Sequence, residues 1–472
     1  MLGLNRLGAI IAITIAGLVI SYALGWPPWI GPLAGLLVLI WHVSRRESGR
    51  RDMWLAMGKG VREVQVVVWV LLLVACMIPA WNASGTVAWL TDWGLKLMDP
   101  RYMLVSSFLL SAGMGVLLGT ATGTLSSIGI PLMGVGWTLG VPPGLVAGAV
   151  ISGAMIGEIV SPFSGAQHLV ASSTGVAANR FRRLIVPVVA AAGGLAALMY
   201  AGLDMRGRWS VPDSGPIAGA PDSVVLSPWL LIPAAVLLIG IVLRWGVVRA
   251  FLLSIAAAIV LGSWLQGVPW GEWPDLLWNG HAPAGGAAQG GGVARMIHVV
   301  VLVAIVGAFN GILAHGNMIS PYMDKLFGRN GGLLPVTGRA MALGFVMAVV
   351  SCTQTLPVMM TGRNALPIWE KRWRREDLAC AVAGGPLLFP VLVPWNMMAV
   401  LCTTLLGVPT LDYAGAACIL WLVPALVLVR AWRADRNRGI GAKRLTTVKR
   451  LRKCHPNSSE KMSLLCFFAA VP

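Results

Sequence analysis

Fourteen stretches of this chain are apolar for all or most of the length of a membrane crossing, and that succession limits the fold more than any single motif. They lie near residues 8–25, 28–43, 64–82, 102–119, 122–139, 145–177, 184–203, 226–243, 247–265, 296–313, 338–352, 354–370, 377–409 and 413–431. Two of them, 145–177 and 377–409, are interrupted by Gly and Pro. Only 11% of the 472 residues are charged, against about a quarter in a soluble domain. With a mean hydropathy of +0.77, the reading is an all-α polytopic membrane protein.

The net charge of +18 does not require a nucleic acid. The Lys and Arg residues sit in short loops between apolar spans and in the C-terminal tail, the pattern that orients a membrane protein. Residues 44–63 form the first loop rich in charge, with Arg45, Arg46, Arg50, Arg51, Lys59 and Arg62. Positive loops face the cytoplasm, so the N-terminus is expected inside a bacterial-type inner membrane. The first span follows a short basic start but runs long, lacks a clear cleavage site and is followed at once by another span. It reads as a retained helix. Residues 268–294, rich in Gly, Ala, Pro and Trp, read as an external loop, and 432–472 as a basic, disordered cytoplasmic tail.

A repeat runs through the chain. At an offset of 232, Ala147, Ala149, Val150, Gly153, Pro162, Leu169, Gly175 and Val176 meet identical residues. At 231, Gly113, Thr122, Thr124 and Leu125 match Gly344, Thr353, Thr355 and Leu356, and Ala83 and Gly85 match Ala314 and Gly316. Equivalent loops carry unequal charge. The basic 44–63 corresponds to the nearly neutral 275–294, and the uncharged 132–144 to 363–375 with Arg363, Lys371, Arg372, Arg374 and Arg375. Equivalent loops therefore face opposite sides, and the expectation is two inverted-topology repeats, 1–203 and 226–431, joined by an external linker, 204–225. Broken or re-entrant helices then surround a midplane site.

Four polar clusters fall at the repeat-related interruptions: Gly119–Thr124, Gly157–His168, Ser351–Thr355 and Val393–Asn396. Each joins hydroxyl or amide groups to Gly or Pro that can interrupt a helix, here Gly119, Gly123, Gly157, Pro162, Gly165 and Pro394. Freed carbonyls and half-helix ends can then hold an ion or an anionic group. The structural alternative is that Ser and Thr bond back onto their own helix while Gly allows close packing. Glu158 is the acid deepest in an apolar segment, with no Lys or Arg in its span. It can carry the coupling proton, neutralise a bound cation or pair structurally. Desolvation there disfavours the charged form, as a proton carrier needs. Thr120, Thr122, Thr124, Ser161, Ser164, Thr353, Gln354 and Asn396 are the candidate neutral ligands. Asn310 and His315 lie near the end of a span facing the second-half site and are as readily structural. Trp26, Trp29, Trp54, Trp229 and Trp270 fall near span ends, as an interfacial belt does.

No P-loop, dinucleotide fingerprint or metalloprotease motif occurs. The seven cysteines show no metal-ligand spacing. No enzyme activity, cofactor or metal beyond a transported cation is expected, and an ion gradient is the simplest energy source.

The motifs WNASGTV (Trp81–Val87), GTATGT (Gly119–Thr124), IGIPLMGVG (Ile128–Gly136), SPFS (Ser161–Ser164), LVPWN (Leu392–Asn396) and LGVPTLDYA (Leu406–Ala414) resemble, in order and spacing, the NhaC-type sodium/proton antiporters of the ion-transporter superfamily. The resemblance implies the fold and secondary transport. Four positions depart from the family. Gly157-Glu158 stands where the family shows Gly-Asp, Gly165 replaces an acidic residue, and Ala383 and Gly384 replace an acidic pair. The first expectation is cation (sodium)/proton antiport. The second is coupled uptake or exchange of a small organic acid or amino acid, and a non-transporting scaffold or sensor is the third. Partners are the transported ions or solute and the bilayer, with a homo-oligomer left open.

Overall fold

The computed structural model describes residues 9–454 except several positions before 29 and 45–49, 208–224, 244, 281–291, 316–331 and 352; beyond 437 it describes backbone only. The expected linker 204–225 and the His315 side chain fall largely or wholly outside the described residues. Among the described residues there is no strand. Among those residues six helices are long and apolar enough to cross a bilayer, or seven if 375–392 and 397–406, bent by 55°, count as one broken span.

The first described elements are α1 (Ile30–Ser44), α2 (Arg50–Ser84) and α3 (Thr86–Leu97). A run of six helices follows. α4 (Met103–Leu118) ends at Gly119. α5 (Ala121–Thr124) passes through a π-helical turn, Leu125–Gly129, into α6 (Ile130–Thr138). α7 (Pro143–Val160) and α8 (Gly165–Thr174) flank the second break, and α9 (Ala178–Gly207) closes the run. Between the two runs lie α10 (Ile232–Val242), α11 (Val247–Leu265), α12 (Trp273–Asn279) and α13 (Val293–His315). The run then recurs as α14 (Leu333–Ser351), α15 (Thr355–Trp369), α16 (Arg375–Gly384), α17 (Met397–Leu406), the short α18 (Thr410–Ala414) and α19 (Ile419–Cys454).

The packing is reciprocal. α4 packs on α7 and α9, and α14 packs on α16 and α19. Across the halves, α7 meets α19 while α16 meets α9; α8 lies on α15 while α17 lies on the π-turn. Small residues permit the closest approaches. A Cβ on Gly157 would overlap the Gly115 backbone, and one on Gly60 would run into Gly307 and Gly311 where α2 crosses α13. Without a hydrophobic drive between helices in lipid, such backbone-to-backbone contact is what holds them together.

Carboxylates brace both runs. Asp204, at the end of α9, accepts from the Leu104 and Val105 N–H groups at 3.0 Å each. Asp435, in α19, accepts from Leu333 and Leu334 at 2.7 and 2.8 Å. Each caps the first turn of the helix that opens its run, where backbone donors lack partners and negative charge is favoured.

The helices outrun their apolar stretches. α2 begins at Arg50, inside the expected 44–63 loop, and α19 continues to Cys454, into the expected tail. The expected loop 268–294 contains α12, where Trp273 is buried and donates its indole N–H to Ser263 at 2.7 Å. Hydropathy marks where lipid contact ends. Backbone hydrogen bonding carries a helix on beyond its apolar stretch when no residue stops it.

Candidate functional site

The two breaks of the first half cross each other. Gly119 ends α4 with φ 72°, a left-handed cap that an L side chain rarely adopts. A Cβ there would stand 2.8 Å from the Phe163 carbonyl carbon and 2.9 Å from the Ser164 nitrogen. Glu158, on the last turn of α7, reaches across the crossing, and its Oε2 accepts from the Ala121 N–H at 2.8 Å. The carboxylate thus sits on the N-terminal end of α5, where the backbone donor and the helix dipole both favour negative charge. No hydrogen bond is made to its Oε1 by any described residue. The residue is 9% exposed.

The hydroxyls around this carboxylate have pinned hydrogens. Ser161 Oγ donates to the Val116 carbonyl at 2.7 Å, and Ser164 Oγ donates to the Glu158 carbonyl at 2.6 Å while accepting from the Gln167 N–H. Thr120 Oγ1 accepts from the Gly123 N–H, and Thr124 Oγ1 donates to the Thr120 carbonyl at 2.9 Å. Ser126 and Ser127 bond back onto Thr122 and Gly123 through the π-turn. The back-bonding alternative therefore holds for most of these side chains, and it leaves lone pairs on the Ser161, Ser164 and Thr124 oxygens. Thr122 is half-buried.

The second half builds the same crossing from amides. Asn396 caps α17 by accepting from the Met398 N–H, and its Nδ2 donates to the Ala348 carbonyl at 2.9 Å and the Thr353 carbonyl at 3.5 Å. Trp395 donates to the Val349 carbonyl at 3.0 Å, and Gln354 to the Leu387 carbonyl at 2.9 Å. Asn310 donates to the Ser351 carbonyl at 2.5 Å, and its Oδ1 has no partner among the described residues. Ser164 and Asn396 are repeat equivalents and both cap the helix after the second break. The hydrogen bonds named here stay within each half. The halves themselves touch at the π-turn, where a Cβ on Gly129 would stand 2.9 Å from Leu406 Cδ2.

Two expected breaks are corrected. Gly157 lies inside α7, where its missing side chain allows contact with Gly115; it is a packing residue. Gly123 lies within α5, its N–H held by Thr120. The interruptions fall at Gly119–Thr120, Ser161–Ser164, between Ser351 and Thr355, and at Val393–Asn396, so Pro162 and Pro394 do sit in them, and Gly165 opens α8.

Asp204, Asp435, Trp395 and Tyr200 were not among the expected residues. Tyr200 Oη is 2.8 Å from Ser152 Oγ and donates to the Ala416 carbonyl at 2.7 Å, tying the first half to the turn before α19. A signal for one pair was available, since Asp204 and Asp435 are separated by the repeat offset of 231.

These features define a multi-pass helical membrane protein with two broken-helix crossings, one of them acidic. No protein-family model matches the chain. It is 24% identical over 436 residues to the Na(+)/H(+) antiporter NhaC of Alkalihalophilus pseudofirmus, covering 90% of this chain and 93% of that one. It is 26% identical over 402 residues to the NhaC of Bacillus subtilis, covering 80% and 86%. A malate-2H(+)/Na(+)-lactate antiporter of Bacillus subtilis is 22% identical over 402 residues, covering 81% and 85%. Along most of its length the chain is similar to NhaC-type antiporters, the family its motifs resemble.

Proposed function

We propose that the protein is a secondary antiporter that exchanges a cation, sodium first, for protons across a bacterial-type inner membrane. The observation that carries this reading is Glu158, a buried carboxylate with one oxygen held by the Ala121 N–H and the other accepting no hydrogen bond from any described residue. A proton on the second oxygen and a cation against it are alternatives, which is the competition an antiporter requires. Ser161, Ser164, Thr120, Thr122 and Thr124 supply neutral oxygens on the same side; Thr353, Gln354 and Asn396 form the facing half. The similarity to NhaC antiporters along most of the chain supports the same reading.

The two runs act as inverted repeats, 1–203 and 226–431, with a linker at 204–225, a basic tail from 432 and both termini in the cytoplasm. Support comes from the unequal charge of equivalent loops and from the reciprocal packing of α7 on α19 and α16 on α9. Movement of one part of the repeats against the rest would expose the site to each side in turn.

Reconstituted protein tests this. Luminal pH is followed in liposomes while sodium, lithium or potassium is added outside, and again with Glu158→Gln, which keeps an acceptor for Ala121 but removes the charge. Cation-driven proton movement that the substitution abolishes is the expected result. Silence toward every cation, with uptake of a labelled organic acid instead, overturns it. That second reading, exchange of a small organic anion, draws on the loss of family carboxylates at Gly165, Ala383 and Gly384 and on the similarity to a malate/lactate antiporter.

A further inference from the structure

A cavity of about 560 Å³ opens between the α6–α7 connection of the first half and the α17–α18 connection of the second. Its only charged lining residue is Asp412, which is exposed; Trp137 and Met133 contribute an indole and a thioether. Hydrogen-bond donors are scarce, because Pro142, Pro143 and Pro409 in its wall have no backbone N–H. The C-terminal ends of α6 at Thr138 and of α17 at Leu406 lie at the same wall, and both carry partial negative charge. The Pro-capped starts of α7 and of the short α18 are the opposing helix ends at this wall. The lining is thus rich in acceptors and carries a single negative charge.

The repeat gives this cavity a counterpart. At the offset of 232, Asp412 corresponds to Arg180 and Gly144 to Glu376. Arg180 and Glu376 form an ion pair at 2.6 Å, binding α9 to α16. At the equivalent place in the other half, Gly144 and Asp412 also touch, through the Asp412 backbone, so its carboxylate is left without that ionic partner. One end of the half-to-half seam is sealed by a salt bridge. The other holds an open acidic cavity.

We propose that the Asp412 cavity is a vestibule that binds a monovalent cation, inorganic or a small ammonium, before it reaches Glu158. A carboxylate beside an aromatic face suits either guest, and a charged cleft raises the local concentration of its counter-ion. The role rests on the antiport reading, but the binding can be measured without transport.

The test uses full-length protein in liposomes with Leu145→Cys, a position on the cavity wall, against the parent to subtract native cysteines. Reaction rates with cationic and anionic methanethiosulfonates of similar size are compared after correction for their intrinsic reactivity. The expected result is a preference for the cationic reagent of about tenfold, lost in Asp412→Asn, kept in Asp412→Glu, and reduced by added cation at constant ionic strength. Protection by sodium marks an inorganic guest; protection by tetramethylammonium alone marks an organic one. A preference unchanged by Asp412→Asn, or no reaction at Leu145→Cys, overturns the proposal. Cation-driven proton movement in the same liposomes is scored separately, so loss of the vestibule and loss of antiport are distinguishable.

Discussion

At the scale of residues, the acidic crossing depends on one absence and one charge. The absence is at Gly157, whose α-carbon lies against the Gly115 backbone. Gly157→Ala forces α4 and α7 apart, at a cost of about 1–3 kcal/mol for overpacking. Detergent-solubilised variant should melt several degrees below the parent, and Gly194→Ala, with open space around it, should not. If the two variants melt alike, the close approach is not what holds the crossing. The charge is at Glu158. Glu158→Asp shortens the reach to Ala121 by one methylene, and sodium-dependent transport should fall while that of Glu158→Gln disappears. Equal activity in both would show that the carboxylate's charge is not used.

The elements show why the sequence could be read only so far. Helix-forming stretches were legible from hydropathy, and two of the breaks from Pro162 and Pro394, because Pro cannot donate to an interior turn. Gly157 and Gly123 were misread as breaks because a glycine that admits a neighbour and a glycine that ends a helix look alike in sequence. Only tertiary contact separates them. The π-turn at Leu125–Gly129 was not legible either, since it arises where Ser126 and Ser127 bond back to carbonyls in the preceding turn. The carboxylate caps were legible in principle, through the 231-residue spacing of Asp204 and Asp435. Removing them tests the pairing of last helix to first. Asp204→Ala strips one buried and one half-buried backbone donor of their acceptor and should cost about 2 kcal/mol. Asp435→Ala, half-buried, should cost less. Hydrogen–deuterium exchange should rise first at the start of α4 in one variant and of α14 in the other. Uniform change along the chain would refute a local cap.

At the scale of the whole molecule, the two ends of the seam between halves are unlike. At one end Arg180–Glu376 at 2.6 Å is joined by Arg430, which lies 3.6 Å from Asp377 and donates to the Leu184 carbonyl at 3.1 Å. At the other, Asp412 has a cavity in front of it. A half-exposed pair of this kind contributes only about 1 kcal/mol, too little to decide stability but enough to shift a balance between two conformations fivefold. Its effect therefore belongs to conformation. Glu376→Lys places like charge opposite Arg180 and should favour the state open on that end, closing the Asp412 end. A thiol at Ala177 should then react faster with a water-borne reagent, and a thiol at Leu145 more slowly. The exchanged pair Arg180→Glu with Glu376→Lys should restore both rates. Reciprocal movement of the two rates is what inverted repeats require; if both thiols respond in the same direction, the substitution has loosened the fold and the two ends do not alternate.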